Sequence, residues 1–528
     1  MKPTAVADET QSLAIPAAIK PPARPSDLIV DLNNFARYPS LSVGYLTAVL
    51  REAGHRVNVF APLMIGIGGV VREAPVAWYG LPAERLNYRL ATSRSALLRG
   101  LQARLKQARG PELAKQVQGV TDAFARLLET EKPDAVLMST YLMYKPHVEA
   151  MGQLCEQAGV PSLMGGPYFA APEVAEQWMD VPGQVGLAGG ELELELPSLI
   201  ERMVKAGDLT GVPGVWHRDP GSGDTKTDAL VRGGELPPLR NLDDVPIPDF
   251  SDFPWDKYPN RIVPVLTGRG CGWGRCQFCS DVTSTAGRSF RSHSPQRVLE
   301  EIRQQHERYG VDLFVFTDLK LNSDLRVWRA ILENMQTAAP GSRWVASVHV
   351  QAKGDNGLSG EELQAAADSG CVRLTTGLES GSQRMLDAMD KGTDLAVTDR
   401  VLRAAANAGI SVRTTMILGY PGETADDVHA TDGFLRNHRD TIERVSLNRF
   451  QVMSGTPIEQ ALRDDPARFE QQGFTPLTVN HTLAQIDHRY DPKQRRAYRK
   501  AVMRLLAAVH AINRKPLRER ARDFEGVM

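Results

Sequence analysis

Cys271, Cys276 and Cys279 fall within nine residues of one another, in the run Thr267-Gly-Arg-Gly-Cys-Gly-Trp-Gly-Arg-Cys-Gln-Phe-Cys-Ser280, while the rest of the 528-residue chain holds two further cysteines. Three thiolates on one short loop can hold three corners of a cubane iron-sulfur cluster and leave the fourth iron open to a small molecule. A structural zinc site fits less well. It draws four ligands from paired cysteine or histidine knuckles, and the nearest further ligand type, His293, lies beyond a serine- and arginine-rich stretch. Disulfides fit worse still, because five cysteines in so long a chain, with no secretory signal, read as a reducing cytosol. Gly268, Gly270, Gly272 and Gly274, with Arg269 and Arg275, make the loop flexible and cationic, a setting that favours thiolates over inert buried thiols.

Such a loop needs a scaffold, and the composition permits a large one. Hydrophobic residues make up 42% of the chain and charged residues 24%, an ordinary globular balance for two to four domains. A net charge of -1 gives no electrostatic case for nucleic acid. The apolar run Val57 to Val71 is too short to span a bilayer and is broken by Pro62 and glycines, so no membrane span and a cytoplasmic location are expected. Residues 1–24, rich in Ala and Pro, read as a disordered tail.

From Leu28 the pattern alternates. Leu28 to Leu32 predicts a strand, Ser42 to Ala53 a helix with Val43, Leu46, Val49 and Leu50 on one face, and Val57 to Phe60 a second strand. A helix-rich insertion, about Glu84 to Glu131, precedes strand Ala135 to Met138, helix His147 to Gln157, strand Ser162 to Met164, the Gly165-Gly166-Pro167 turn, a strand near Gln184 to Leu187 and a helix from about Glu191. This is the pattern of an α/β fold with a doubly wound parallel sheet, assigned to residues 25–207; the loops after Leu32, Met138 and Met164 are its candidate ligand loops. Residues 208–259 read as a hairpin, turning at Gly221-Ser-Gly-Asp224, and a proline-rich linker from Pro237-Pro238 to Pro246-Ile-Pro248.

A second alternating series occupies residues 260–458. Strands are expected at Ile262 to Leu266, Leu313 to Phe316, Trp344 to Val348, Val372 to Thr376, Val412 to Leu418 and Val445 to Phe450, and helix Pro295 to Tyr309 is bracketed by Ser294 and Gly310. Six βα repeats make a partial (β/α)6 barrel, whose chemistry belongs at the C-terminal ends of its strands. The cysteine loop follows the first of them. Pro264 suits that strand only at a sheet edge. Residues 459–528 read as a small basic helical region, with Ala497, Val502, Leu505, Leu506, Val509 and Ile512 as a face packed on the barrel rather than a nucleic-acid patch.

These segments together resemble the radical SAM enzymes, specifically the family with an N-terminal cobalamin-binding domain. The likeness rests on Tyr38-Pro39 to His55, Gly165-Gly166-Pro167, Asp244-Val-Pro-Ile-Pro-Asp249, the cysteine loop, Gly377-Leu-Glu-Ser-Gly-Ser382 and Ile417-Leu-Gly-Tyr-Pro-Gly-Glu423. It implies an N-terminal Rossmann-like cobalamin domain before the barrel, a 4Fe-4S cluster on Cys271, Cys276 and Cys279, and S-adenosylmethionine chelating the open iron, with the protein orienting the cofactors and excluding solvent. The family spacing is CxxxCxxC; CxxxxCxxC here adds one residue, which Gly272 and Gly274 can absorb.

By the same resemblance Phe278 lies near adenine, Asp318 close to S-adenosylmethionine, and Ile417 along its adenine. Glu379 either faces S-adenosylmethionine or caps the helix after Gly381. Arg413 either meets its carboxylate or forms a barrel-interior ion pair. In the facing domain, the DxHxxG motif that places a histidine below cobalt is missing from Asn33-Asn-Phe-Ala-Arg-Tyr38, and His55 and His147 read as surface or helix-end residues. Asn33, Ser139, Gly165 and Gly166 are therefore expected around base-off cobalamin with no protein histidine on cobalt, against the alternative of a degenerate domain that binds nothing.

The implied activity is methylation of an unactivated carbon through a 5'-deoxyadenosyl radical and methylcobalamin, on a small-molecule or peptide substrate, with an external electron donor such as flavodoxin or ferredoxin. Cyclisation or rearrangement without methyl transfer, and a non-catalytic corrinoid or iron-sulfur binding protein, are the alternatives. No acid-base or radical-quenching residue is named by the sequence.

Overall fold

Strands whose apolar residues serve both faces at period 2 need helices on both sides, and that requirement shapes the N-terminal half. The computed structural model describes residues 24–71, 73, 76–95, 97–98, 100, 104, 110–219, 229–280 and 289–527. β1 (Ser26–Leu32), β2 (Arg56–Phe60), β3 (Ala135–Thr140), β4 (Ser162–Gly165), β5 (Gln184–Ala188), β6 (Val215–Arg218) and β7 (Leu230–Arg232) form one sheet of order β2-β1-β3-β4-β5-β6-β7. It is parallel from β2 to β5 and antiparallel thereafter. Ile29, Leu137 and Leu163 pack with helices Leu41–Glu52 and Leu196–Ala206 on one face. Leu28, Val30, Val136, Met138 and Met164 pack with helices Gly110–Glu131, Lys145–Ala158 and Pro172–Trp178 on the other. The connections change face between β1 and β3, the topological switch point at which such sheets leave a crevice beyond the strand ends.

The helix expected from about Glu191 begins instead at Leu196. The turn expected at Gly221 to Asp224 lies outside the described residues, as do residues 1–23, nearly all of the expected tail. His55 and His147 are not at the surface: both are buried, His55 against Asp27 at 2.6 Å and His147 edge-on to Tyr144.

The proline-rich segment is packed rather than a free linker. Its Asp249 accepts from Arg51 at 2.8 Å, and Phe250 is fully buried so close to the helix Leu41–Glu52 that a Cβ on Gly44 would stand 2.4 Å from its ring. His293, weighed above as a metal ligand, pairs with Asp243 of the same segment.

β8 (Ile262–Val265) then opens the second unit with the short hairpin β9 (Gly268–Gly270) and β10 (Phe290–Ser292). β11 (Leu313–Phe316), β12 (Arg343–Val348), β13 (Cys371–Glu379), β14 (Ser411–Leu418) and β15 (Ile442–Arg449) follow, and the six long strands form an all-parallel sheet of order β15-β14-β13-β12-β11-β8. Pro264 is tolerated because β8 is an edge strand pairing only with β11. Helix Pro295–Tyr309 has the expected ends, Ser294 accepting from the Arg297 amide and Gly310 in a left-handed conformation. The concave face, lined by Ile262, Leu313, Val315, Val345 and Val372, is filled by Tyr38 from the first unit and by Ala521, Phe524 and Val527 from the last residues described.

The C-terminal region is not purely helical. β16 (Val452–Met453), β17 (Phe474–Asn480) and β18 (Gln485–Tyr490) form a small antiparallel sheet. Helix Arg495–Asn513 packs on the barrel through Tyr498, Ala501, Val502, Leu505, Ala508, Val509 and Ile512, whereas Ala497 is exposed and Leu506 half-buried. No helix among the described residues is long and apolar enough to cross a membrane.

Candidate active site

The cysteine loop is tied down on every side. Gly270 takes φ +89°, and a Cβ there would lie 1.8 Å from the Ser289 carbonyl oxygen; Gly274 takes φ +59° and turns the stretch that carries the added residue. The Trp273 indole donates to the Asp390 carbonyl at 2.8 Å and stacks on His349 at 5.9 Å. Its ring fills the space above Gly392, whose Cβ would meet it at 2.2 Å. Arg275 lies over the same ring and pairs with Asp390. The Gln277 amide donates to the Met389 carbonyl, and the Gln277 carbonyl accepts from the Ile458 amide.

Cys271, Cys276 and Cys279 form no disulfide, and each is half-buried. Two buried lysines act electrostatically on them, one shortly after a strand and one beyond the short helix Gln383–Ala388. Lys320, just after β11, is 6% exposed, and Lys391, beyond β13, is 9% exposed. Burial pushes the Lys320 ammonium below its ordinary value, opposed by the charges of Cys271 and Cys276. At Lys391 burial acts the same way but is outweighed by Glu379, Cys276 and Cys279, so that ammonium is held above its usual value.

Among the described residues no group of three His, Cys, Asp or Glu side chains is gathered for a single metal ion. Three separate thiols are compatible with a cubane, which is wider than one ion and takes thiolates from separate corners. The two buried ammonium groups would complement negative charge carried by thiolates here.

The other expected residues fall around this loop with one exception. Phe278 and Ile417 share an apolar cluster with Met385, Met389 and Tyr420, and Lys391 stands 5.9 Å over the Phe278 ring. Glu379 ends β13 at φ +59° and accepts from Lys391 at 3.1 Å, so it is not the cap of the helix after Gly381; that helix, Gln383–Ala388, follows Ser382. Asp318 accepts from the Thr267 amide and hydroxyl, the latter at 2.7 Å, and burial raises it to about 6. Arg413 lies near the N-terminal end of β14, in register with Thr375 and Arg444, on the far side of the barrel from its mouth.

A cavity of about 580 Å³ opens directly beside the loop. On one side it is lined by Asn33, Ser139, Gly165 and Gly166, the four residues expected from the first sheet; on the other by Gly268, Arg269, Gly270 and Thr317 of the barrel. Asn33 donates to Ser139 at 2.8 Å and to Ser40 at 3.0 Å, and Ser42 lies 3.3 Å from Ser139, so amide and hydroxyls form one polar patch in the wall. Gly166 is extended, and a Cβ there would crowd the Thr140 carbonyl at 3.3 Å. The two sides are bolted together by Arg269, which pairs with Glu193 at 2.8 Å and Glu191 at 3.6 Å, and by Arg291, which pairs with Glu191 at 2.7 Å.

Residues 265–435 match the radical SAM superfamily. That stretch, which begins just before the cysteine loop and spans most of the second unit, is a radical SAM domain. The enzyme is 29% identical over 321 residues to an uncharacterized methyltransferase of Pyrococcus horikoshii, covering 59% of this chain and 66% of the relative. It is 28% identical over 252 residues to the bacteriochlorophyllide d C-12(1)-methyltransferase of Chlorobaculum tepidum (46% and 52% covered). It is 24% identical over 325 residues to the anaerobic magnesium-protoporphyrin IX monomethyl ester cyclase of Rubrivivax gelatinosus (59% and 55% covered). The match thus spans about half to two thirds of these curated relatives.

Two solved structures share the fold at 16% identity. One is the cobalamin-dependent S-adenosylmethionine radical enzyme OxsB with aqua-cobalamin bound (TM-score 0.64; 89% of this chain, 65% of that one). The other is the radical S-adenosylmethionine methyltransferase TsrM of Kitasatospora setae (TM-score 0.61; 92% and 88%).

Sequence reasoning missed Lys320, Lys391, His349 and the Arg269, Glu191 and Glu193 bridge of this radical SAM enzyme. Each is an ordinary polar residue in sequence. The one signal available was position, since Lys320 and His349 both follow a predicted barrel strand, where chemistry collects.

Proposed function

We propose that this radical SAM enzyme transfers a methyl group to an unactivated carbon, with a 4Fe-4S cluster on Cys271, Cys276 and Cys279, S-adenosylmethionine beside it, and base-off cobalamin, without a protein histidine on cobalt, in the facing domain. The observation that carries the reading is the cavity, whose lining joins the switch-point loops of the first sheet to the strand just before Cys271. When bound, the cluster with S-adenosylmethionine supplies hydrogen abstraction from carbon and the corrinoid supplies the methyl group.

The chain's own residues would then do the positioning. Phe278 and Ile417 form an apolar wall that keeps water from the adenosyl side. Lys391, fixed by Glu379, presents a cation to anionic groups. Asp318, turned toward the Thr267 amide and hydroxyl, holds the strand that leads into the loop. The patch of Asn33, Ser40, Ser42 and Ser139 offers hydrogen bonds to a corrinoid's amides, and Gly165-Gly166 lets its tail approach the backbone. An external one-electron donor such as flavodoxin or ferredoxin belongs to the same proposal.

Anaerobic reconstitution with cobalamin, reductant and methyl-labelled S-adenosylmethionine tests it. The expected result is iron and cobalt bound to one chain and label in a product heavier by one CH2. If substrates that support deoxyadenosine formation never acquire label, methylation is wrong. The likeness to a cyclase favours a second reading, cyclisation or rearrangement without methyl transfer, for which product mass is unchanged or lowered by hydrogen.

A further inference from the structure

The two buried lysines beside the thiols are not equivalent. Lys391 is balanced by Glu379 at 3.1 Å. Lys320 has no carboxylate partner among the described residues, although burying an ammonium is costly unless it is paired. Among the described residues, the groups acting on it add no negative charge except the thiols. Asp318, two residues earlier, is turned to Thr267. His349 is held neutral, its imidazole lowered to about 2 by burial and by Lys391 and Lys320. Lys391 repels it, and only Cys271 and Cys276 favour its charged form. The turn carrying Lys320 is also fastened to the loop, since the Ser323 amide donates to the Lys320 carbonyl and the Ser323 hydroxyl accepts from the Gly272 amide.

We propose that Lys320 is a positioning residue for charge: its unpaired ammonium stabilises the reduced state of the cluster and so raises its reduction potential. The inference rests on the assignment of a cluster to Cys271, Cys276 and Cys279. In the step concerned one electron enters the cluster from an external donor of the flavodoxin or ferredoxin class. No bond forms or breaks, and one negative charge is added within reach of the buried cation. Cluster potentials respond to net charge, hydrogen bonding and exposure, and in a desolvated site a fixed cation acts with little screening. Lys391, already neutralised by Glu379, contributes less.

The test uses the reconstituted full-length protein, with iron and sulfide content measured first and the cluster then titrated against redox dyes by low-temperature electron paramagnetic resonance, without S-adenosylmethionine. Wild-type protein that binds no iron removes the cysteine assignment itself. With iron bound, Lys320→Met is expected to lower the reduced-to-oxidised ratio at the wild-type midpoint about tenfold, equivalent to about 59 mV for one electron, while Lys320→Arg stays within about twofold of wild type because it keeps the charge. Loss of iron in Lys320→Met but not in Lys320→Arg also supports the proposal. A wild-type midpoint in a fully loaded Lys320→Met overturns it, including the case in which only affinity for S-adenosylmethionine falls. So does failure of both variants to load iron, which would make Lys320 a packing residue.

Discussion

Each thiol of the loop is one of three, and three ligands on a four-iron cubane leave one corner open. Loss of an outer partner already costs ~10–100-fold in metal affinity, so Cys271→Ala, Cys276→Ala or Cys279→Ala should lower retained iron at least about tenfold and abolish reductive cleavage of S-adenosylmethionine, measured as deoxyadenosine. Glu423 tests a different property. Its buried carboxylate accepts from the Gly419 amide and the Tyr498 hydroxyl, holding the turn after β14, and burial raises it from 4.5 to about 7. A raised carboxylate favours the folded state below its unfolded value, and that contribution is lost as pH rises toward 7. Glu423→Gln does not titrate, so its melting temperature should rise relative to wild type between pH 4.5 and pH 7 and hold that difference above pH 7. The cysteines were legible because their meaning is local, three donors in nine residues. Lys320 and Lys391 were not, since a lysine's role depends on what lies across the barrel mouth.

At the scale of elements, the loop depends on a slot built by another loop. Trp273 fits against Gly392, which is left-handed at φ +67° and without space for a side chain. Gly392→Val should displace the indole, cost about 1–3 kcal/mol by overpacking and reduce cluster loading, with melting and iron content measured together; Trp273→Phe, which keeps an aromatic ring but loses the bond to Asp390, should load more iron than Gly392→Val. Strand cores were read well because parallel strands buried on both faces are short continuous apolar runs. The small C-terminal sheet was missed for a reason visible in β17, Phe-Thr-Pro-Leu-Thr-Val-Asn, where Pro476 argues against a strand and the apolar residues are few. The helix expected at Glu191 begins five positions later because Glu191 and Glu193 are drawn into pairs with Arg269 and Arg291 across the cavity.

For the whole molecule, one apolar core runs from Ile29 and Val43 through Phe250 into Val263 and Phe314, so the two sheets share buried surface rather than hang from a tether. Unfolding followed by circular dichroism and by tryptophan fluorescence should therefore coincide. Phe250→Ala, which empties a fully buried site at the seam, should cost about 3–5 kcal/mol. Two separated transitions in the wild-type chain would show that the units fold independently. The seam also explains why the proline-rich segment misled: proline sets its extended backbone, but Phe250, Asp249 and Tyr258 decide that it is buried.

The sequence by itself determined the alternation of strands and helices, the edge position demanded by Pro264, the three-thiol donor set and the three candidate ligand loops of the first sheet, because each follows from periodicity or spacing along the chain; Asn33, Ser139, Gly165 and Gly166 within those loops were implied by the family resemblance. Only the tertiary structure decided what stands opposite them. That Trp273 rests on Gly392, that Lys320 feels the charges of Cys271 and Cys276 with no counter-carboxylate among the described residues, and that Arg269 joins the cysteine loop to Glu191 and Glu193 are relations between segments far apart in the chain. Burial and charge at such points are sums over neighbours, and the neighbours exist only once the chain has folded.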